Sequence, residues 1–350
     1  MLDLRALAAR LRALDAGSLH VVTMPDFFLD HFVPLSRWEA TIPAWEGVHR
    51  RGGGNVPTPG QHFQPGGNAA NSALALARLG VRTHLITRTS AFGKVVLEHT
   101  LARHGVDLRH VRADGQLSVT TALEFQEGRP VNVMLSEAGS VAQFGPEALD
   151  ANDWTLLEAA DLVLVANWSQ NRLGSALVDA VAKAARSSGT LSMVDTGDPS
   201  ARASDIPELL ARVVANPELD VFALNENELR QLTGRALAEG EDEVAAAREL
   251  HVRRAHGTLD LHTARFAATF SPTGGAVVPS FRVEPLRVTG AGDSWNAGNI
   301  VGHLAGLGPA DRLLLANAVA ALYVSGKELL APTMAEVVRF LESEPALQAV

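Results

Sequence analysis

No cysteine occurs among the 350 residues, which excludes disulfides, thiolate metal sites and a cysteine nucleophile. Hydrophobic residues make up 47% of the chain, yet no apolar run approaches the ~20 residues that a membrane span requires. The opening Met1-Leu2-Asp3-Leu4-Arg5 begins an amphipathic segment and lacks the basic n-region and long h-region of a signal peptide. A cytoplasmic protein without a membrane partner is the expectation. Positive charge is also short: the formal net charge is −9, and Arg50-Arg51 and Arg253-Arg254 are isolated pairs. A nucleic-acid surface needs a basic patch, so nucleic acid is not an expected partner. Histidine is present 12 times, but without His-Glu-x-x-His spacing. His49, His62, His99, His104 and His110 are scattered through polar segments and read as solvated surface, because metal sites need clustered ligands.

What is there is an alternation. Leu19–Thr23, Thr83–Thr87, Leu162–Ala166, Leu191–Asp195 and Val221–Leu224 are short apolar runs followed by turn residues or an acid, as in buried parallel strands. Between them lie helical stretches at Ala69–Leu79, Leu173–Ser187, Ile206–Val214 and Glu226–Leu232, with Gly80 placed as a helix C-cap residue. Strand–helix alternation predicts an α/β fold with a parallel sheet covered on both faces and ligands at the strands' carboxyl ends. A chain of this length buries one large core, or a main body with an appendage. Two regions break the rhythm. Residues 36–65 carry Arg50-Arg51-Gly52-Gly53-Gly54-Asn55 and few helix formers, while residues 115–135 alternate apolar and polar as in antiparallel strands with one open face. Both fit one small β appendage inserted into the body.

The most informative stretch is Val288-Thr289-Gly290-Ala291-Gly292-Asp293-Ser294-Trp295-Asn296-Ala297-Gly298. Gly290, Ala291 and Gly292 lack bulk, so their N–H groups can crowd around one external atom, and the helix that follows points its positive end there. An aspartate in such an anion site repels a resting phosphate unless its task is to face the hydroxyl that attacks that phosphate. The bland alternative is that Asp293 is an ordinary N-cap. Asp293 is expected to have a low pKa, since a helix N-terminus pulls a carboxyl below its reference value of ~3.9. That makes alignment and late proton acceptance its natural part in a loose phosphoryl transfer.

Two further elements accompany this turn. Gly66-Gly67-Asn68-Ala69-Ala70-Asn71 precedes an alanine-rich helix, and the Asn71 amide can donate to and accept from sugar hydroxyls. Asn225-Glu226-Asn227-Glu228 follows a strand, with Asn225 and Glu228 on one face of the first helical turn. A carboxylate there can hold hydrated Mg²⁺, or Asn225 can simply cap the helix.

In this order and spacing the three elements resemble the ribokinase-like family of sugar kinases, the phosphofructokinase B (PfkB) superfamily. The resemblance spans about Leu19 to Leu341. It implies a single ribokinase-like domain over residues 1–350: a Rossmann-like three-layer α/β body with a central, mostly parallel sheet, plus a small β-sheet lid inserted from about 36–65 and 115–135. It implies an ATP-dependent kinase acting on a hydroxyl of a small sugar or sugar acid, with Mg²⁺ as cofactor and a homodimer formed through the lid. Asp293 becomes the catalytic base, with Gly290, Ala291 and Gly292 as the anion hole. Asp30, Gly67 and Asn71 form the sugar wall, joined by Asn167 at a strand end. Asn225 and Glu228 organise the phosphates and Mg²⁺, and Asn317 lies near the adenine.

The chain departs from the family at two places. The signature usually opens with Asp-Thr, in a region that helps many members bind a monovalent cation; here Arg287 and Val288 stand there, which argues against potassium activation. The usual Thr-x-Gly-x-x-Gly pattern near the nucleotide is replaced by Thr263-Ala264-Arg265-Phe266-Ala267-Ala268, so Thr263 and the Arg265 side chain are the nucleotide contacts expected instead. His262 adjoins this loop without an evident acid partner and reads as an ordinary strand-end residue. Two alternatives stay open: a nucleoside kinase of the same family, clamping a base with Phe28, Phe125 or Trp168, and a catalytically weakened relative that binds a metabolite. Aromatics at 5% of residues give the clamp little material.

Overall fold

The computed structural model describes residues 2–349 apart from 128–129, 255 and 329. β1 (His20–Met24), β4 (Arg82–Leu85), β9 (Leu162–Ala166), β10 (Leu191–Asp195), β11 (Val221–Asn225), β12 (Thr258–His262), β13 (Phe266–Ser271) and β14 (Gly274–Pro279) form one eight-stranded sheet in the order β14-β13-β12-β11-β10-β9-β1-β4. The strands from β4 to β12 in that order pair in parallel, and β13 and β14 extend the edge as an antiparallel hairpin. Strand geometry sends alternate residues to opposite faces. Leu162, Leu164 and Ala166 accordingly enter one core, and Val163 and Val165 the other. Helices Asn68–Arg78, Ala291–Leu304 and Pro309–Ser325 cover the first face, while Gly174–Ser188, Glu226–Thr233 and Glu241–Val252 cover the second. The expected three-layer α/β body is present.

A second sheet stands apart, built from β2 (Phe28–Leu35), β3 (His62–Gly66), β7 (Ser118–Gln126) and β8 (Pro130–Glu137) in the order β3-β2-β7-β8. It is mixed, since β2 and β7 pair in parallel while β3 and β8 run antiparallel to their neighbours. This is the lid, but it starts at Phe28, only four residues after β1 ends at Met24, and not near residue 36. Residues 36–65 also hold a helix, Trp38–Arg50, where only part of a β appendage was expected. Pro43 and weak helix formers hide it in the sequence; its Thr41, Ile42, Trp45 and Val48 lie on the more covered side. A minor pair, β5 (Thr87–Arg88) with β6 (Val111–Arg112), completes the strands. Ile206–Val214 is helical as expected, though its second half, Leu210–Val214, is wound as a π-helix.

The helix that carries the Gly-Ala-Gly-Asp turn is firmly seated. Gly298 brings it against its neighbour, since a Cβ there would lie 2.7 Å from Ala316 Cα. Behind it, Arg312 pairs with the fully buried Asp260 at 2.7 Å and donates to Thr269, while Asn299 gives its amide to Asp260 at 2.8 Å. Burial alone would raise the Asp260 carboxyl, but Arg312 and His303 hold it well below the usual range. A buried charge with such a partner fixes register, because breaking the pair leaves the other charge stranded. One surface assignment changes here: His110 bonds Asp153 at 2.7 Å and is largely covered, so it is not solvated.

Candidate active site

Polar residues collect at the carboxyl ends of the parallel strands: Asn167 after β9, Asp195 ending β10, Asn225 ending β11 and His262 ending β12. Together with the lid and the Gly290 turn they enclose a cavity of about 820 Å³, into which Asp30, Asn71, Asp195, Glu228, His262 and Asp293 all face.

At the turn, Gly290 has φ of 82°, and a Cβ there would sit 2.5 Å from the Tyr323 hydroxyl, so another residue would strain the backbone and displace Tyr323. Gly290 is the N-cap of Ala291–Leu304. Asp293 is therefore inside the helix and is not its cap. The Ala291 amide closes the turn onto the Val288 carbonyl at 3.2 Å. Those of Gly290, Gly292 and Asp293 have no acceptor among the described residues, as the first turn of a helix leaves them. Asp293 Oδ2 accepts from Asn71 Nδ2 at 2.8 Å, while Oδ1 is buried without a partner.

Asp30 projects from β2 over the glycine pair. A Cβ on Gly66 would lie 2.0 Å from Asp30 Oδ2, so the carboxylate occupies the space a side chain would take. Gly67 lines the cavity beside it. Asp26, unassigned in the sequence, accepts the Asn68 and Ala69 amides at 2.8 Å each and the Asn167 amide at 2.8 Å. Asn167 Oδ1 in turn accepts from Ser169 Oγ. Asn167 thus holds Asp26 with one N–H of its amide and lines the large cavity, with a second N–H left over. Asn225 and Glu228 form a reciprocal capping box, with Glu228 accepting the Asn225 backbone and side-chain N–H groups at 3.0 and 2.9 Å. Among the described residues no His, Cys, Asp or Glu trio is arranged to hold a metal directly.

A second cavity of about 460 Å³ adjoins the first and is lined by Thr263, Trp295 and Asn317 among others. Asn317 accepts from Trp295 Nε1 at 2.9 Å and donates to the Pro279 carbonyl at 3.1 Å. Arg265 lines neither cavity: it is exposed, bonds the Ala349 carbonyl at 2.9 Å and lies 3.5 Å from Glu239. Thr263 Oγ1 instead ties the tight turn between β12 and β13, and Ala267 and Ala268 belong to β13. Trp168 is sealed beneath Arg202, 3.7 Å from its ring centre, and donates to Ser175. Of the three aromatic clamp candidates, Phe28 reaches the large cavity while Phe125 and Trp168 do not. Arg287 turns its guanidinium onto the carbonyls of Gly326 and Glu328, over the Tyr323 ring.

The sequence pattern of the pfkB family carbohydrate kinases matches residues 36–334. The chain belongs to that family. Among curated relatives, ribokinase of Haemophilus influenzae is 24% identical over 81% of this chain and 90% of its own. The ATP-dependent ribose-1-phosphate kinase of Halopiger xanaduensis is 31% identical over 82% of this chain and 90% of its own. Arabidopsis thaliana ribokinase, solved with ribose and ATP, superposes with a TM-score of 0.73 at 22% identity, over 93% of this chain and 99% of that one. Those two identity levels below 25% speak for the shared fold.

In this pfkB kinase the electrostatics of Asp293 reverse the expectation from its helix. Burial raises its pKa well above the ordinary value, and the negative Asp195 raises it further, while Asn71 only partly opposes them. No helix amide bonds the carboxylate to oppose this, since Oδ2 is held by Asn71 and Oδ1 has no partner. Burial and Asp195 likewise push Glu228 up. No motif marks Asp195 in the sequence. The signal was its position as the last residue of a parallel strand, followed by Thr196-Gly197.

Burial, with Asp26 nearby, pushes Asp30 up to about 6 from an ordinary 3.8. A raised acid contributes stability below its unfolded pKa and loses it as pH rises through the folded one. Asp30→Asn is therefore expected to be more stable than the parent above pH 6, by about 2–3 kcal/mol, with the gap closing towards pH 4. Urea unfolding at both pH values checks this. An equal gap at the two would remove Asp30 ionisation as the cause.

Proposed function

We propose that this chain transfers the terminal phosphoryl group of ATP to a hydroxyl of a small sugar or sugar acid, with Asp293 as the proton acceptor. The observation that carries this is the state of Asp293: one oxygen held by Asn71, the other buried and free, beside helix amides that lack acceptors. The names of the Halopiger and Arabidopsis relatives support ATP as the donor.

Asp30 and Asn71, with Gly67, hold the sugar so that one hydroxyl faces Asp293 Oδ1. The amides of Gly290, Gly292 and Asp293 receive the oxygens of the phosphoryl group. As the sugar oxygen bonds to phosphorus, the bond from phosphorus to the ADP oxygen breaks and the hydroxyl proton passes to Asp293 Oδ1. The raised pKa of Asp293 favours that late acceptance. Most of the acceleration then comes from alignment and charge placement. Among the described residues the cavity offers hard carboxylate oxygens and no lysine or arginine, a set that suits Mg²⁺. Glu228, already engaged by Asn225, would hold Mg²⁺ through water, and the ion would supply neutralisation of phosphate charge. ATP as donor supports a cytoplasmic setting for the reaction.

Arg287 supports a kinase without monovalent-cation activation, because its guanidinium already occupies backbone carbonyls beside the signature. The outer face of the lid supports a homodimer: Val131, Val133 and Leu135 of the edge strand β8 alternate outward and are 36%, 41% and 56% exposed. A contiguous apolar row on a sheet edge favours pairing with a second copy.

Nucleotide consumption over a panel of sugars, sugar acids and nucleosides with Mg²⁺ is expected to show turnover with a sugar, at the same rate in sodium and potassium buffers. Ligand-induced melting shifts without turnover would leave a binding protein instead, and strong potassium stimulation would dismiss the Arg287 argument. Asp293→Asn should lose about 10³-fold or more in kcat while retaining sugar affinity by calorimetry; retained activity removes Asp293 from the base role. Sedimentation should give a dimer that Val133→Lys dissociates, and a monomeric parent would rule out the lid interface.

A further inference from the structure

His262 ends β12 at the point where the two cavities meet. It lines both, together with Asn225, Asn227, Val288 and Gly292. Its ring stacks on Trp295, with centroids 4.7 Å apart and planes at 28°. The edge formed by Cε1 and Nε2 faces the phosphoryl-binding turn: a Cβ on Gly292 would stand 3.2 Å from Cε1 and 3.7 Å from Nε2. Nε2 is buried and has no hydrogen-bond partner.

A buried ring nitrogen left unpaired is costly, so such a group invites a ligand that completes it. The charge distribution says which kind. Among the described residues neither cavity is lined by a lysine or an arginine, and His262 is the one basic side chain on either wall. A nucleotide with its base in the 460 Å³ cavity and its terminal phosphoryl at Asp293 must carry its phosphates across this junction. The Asn225 amide at the same junction has already given one of its two N–H groups to Glu228. Burial lowers the His262 pKa, which keeps the ring neutral with a single N–H to place.

We propose that His262 donates a hydrogen bond from Nε2 to a non-bridging oxygen of the nucleotide's phosphate chain where the two cavities join. This deepens the phosphotransferase reading and rests on it. The phosphate oxygen selects the Nε2–H tautomer, and Trp295 fixes the ring plane so that the N–H points over Gly292. Arg265, the side chain expected from sequence to reach the phosphates, is directed elsewhere, and His262 takes that place from the adjoining strand end.

The test compares His262→Phe, which keeps a ring on Trp295 but has no donor, with His262→Gln, which keeps an N–H. In His262→Phe the nucleotide KM should rise about tenfold or more, with the sugar KM changed less than about twofold. His262→Gln should recover most of that loss. Calorimetry of ATP with Mg²⁺ in the absence of sugar should show the same order of affinities. Unchanged nucleotide KM and affinity in His262→Phe would overturn the proposal. So would a parallel rise in both KM values with a lowered Tm, which marks packing alone. A parent enzyme without turnover on any sugar would sink the kinase reading, and the calorimetric comparison would still decide the role of His262.

Discussion

The structure turns on acids that are held in a dry corner without basic partners. Asp26 is held by Asn167, Asp195 by Asn296, Glu228 by Asn225 and Asp293 by Asn71, each through an asparagine amide. An amide fixes the direction of a carboxylate but leaves its charge intact. Burial therefore raises Asp26, Asp30, Glu228 and Asp293. Asp260 makes the contrast within the same molecule. Equally buried, it is given Arg312, and its carboxyl is held low. The core acid has its charge cancelled by Arg312, whereas the site acids are given no such partner among the described residues.

Such a corner is costly to keep, and the surrounding architecture reflects it. The helix that supplies Asp293 and Asn296 is clamped from behind by Asp260, Arg312 and Asn299 and packs closely at Gly298. Asp26 is buried completely, yet two helix amides of Asn68 and Ala69 satisfy it and draw the positive end of that helix into the site. The lid contributes Asp30 because β2 follows β1 almost directly, so body and lid share one acidic wall.

Much of this was legible in the sequence. Leu162–Ala166 and Leu191–Asp195 are strands with the limits their apolar runs suggest, because a strand buried on both faces needs a run without charge. The three motifs were legible because small residues and acids at fixed spacings have few uses. The Trp38–Arg50 helix was not, since its proline and weak formers are outweighed by context that no local window contains. Nor was the sign of the Asp293 shift. A helix terminus is a local feature, but burial and the charge on Asp195 come from elements about a hundred residues away. His262 has no acid partner in the sequence to mark it; what marks it is the junction of two cavities, which exists only once β11 and β12 lie side by side.

The capping box at Asn225 shows why bland and functional explanations of a motif need not compete. Glu228 is held by two N–H groups of Asn225, which is what a helix N-terminus requires for its own stability. The same bonds fix the direction of a buried carboxylate at the wall of the large cavity, so its rotamer entropy is already spent. Stability of the cap and readiness of the site are one geometry. A substitution at Asn225 would disturb both, so its effect on turnover could not be assigned to either without the stability measurement beside it.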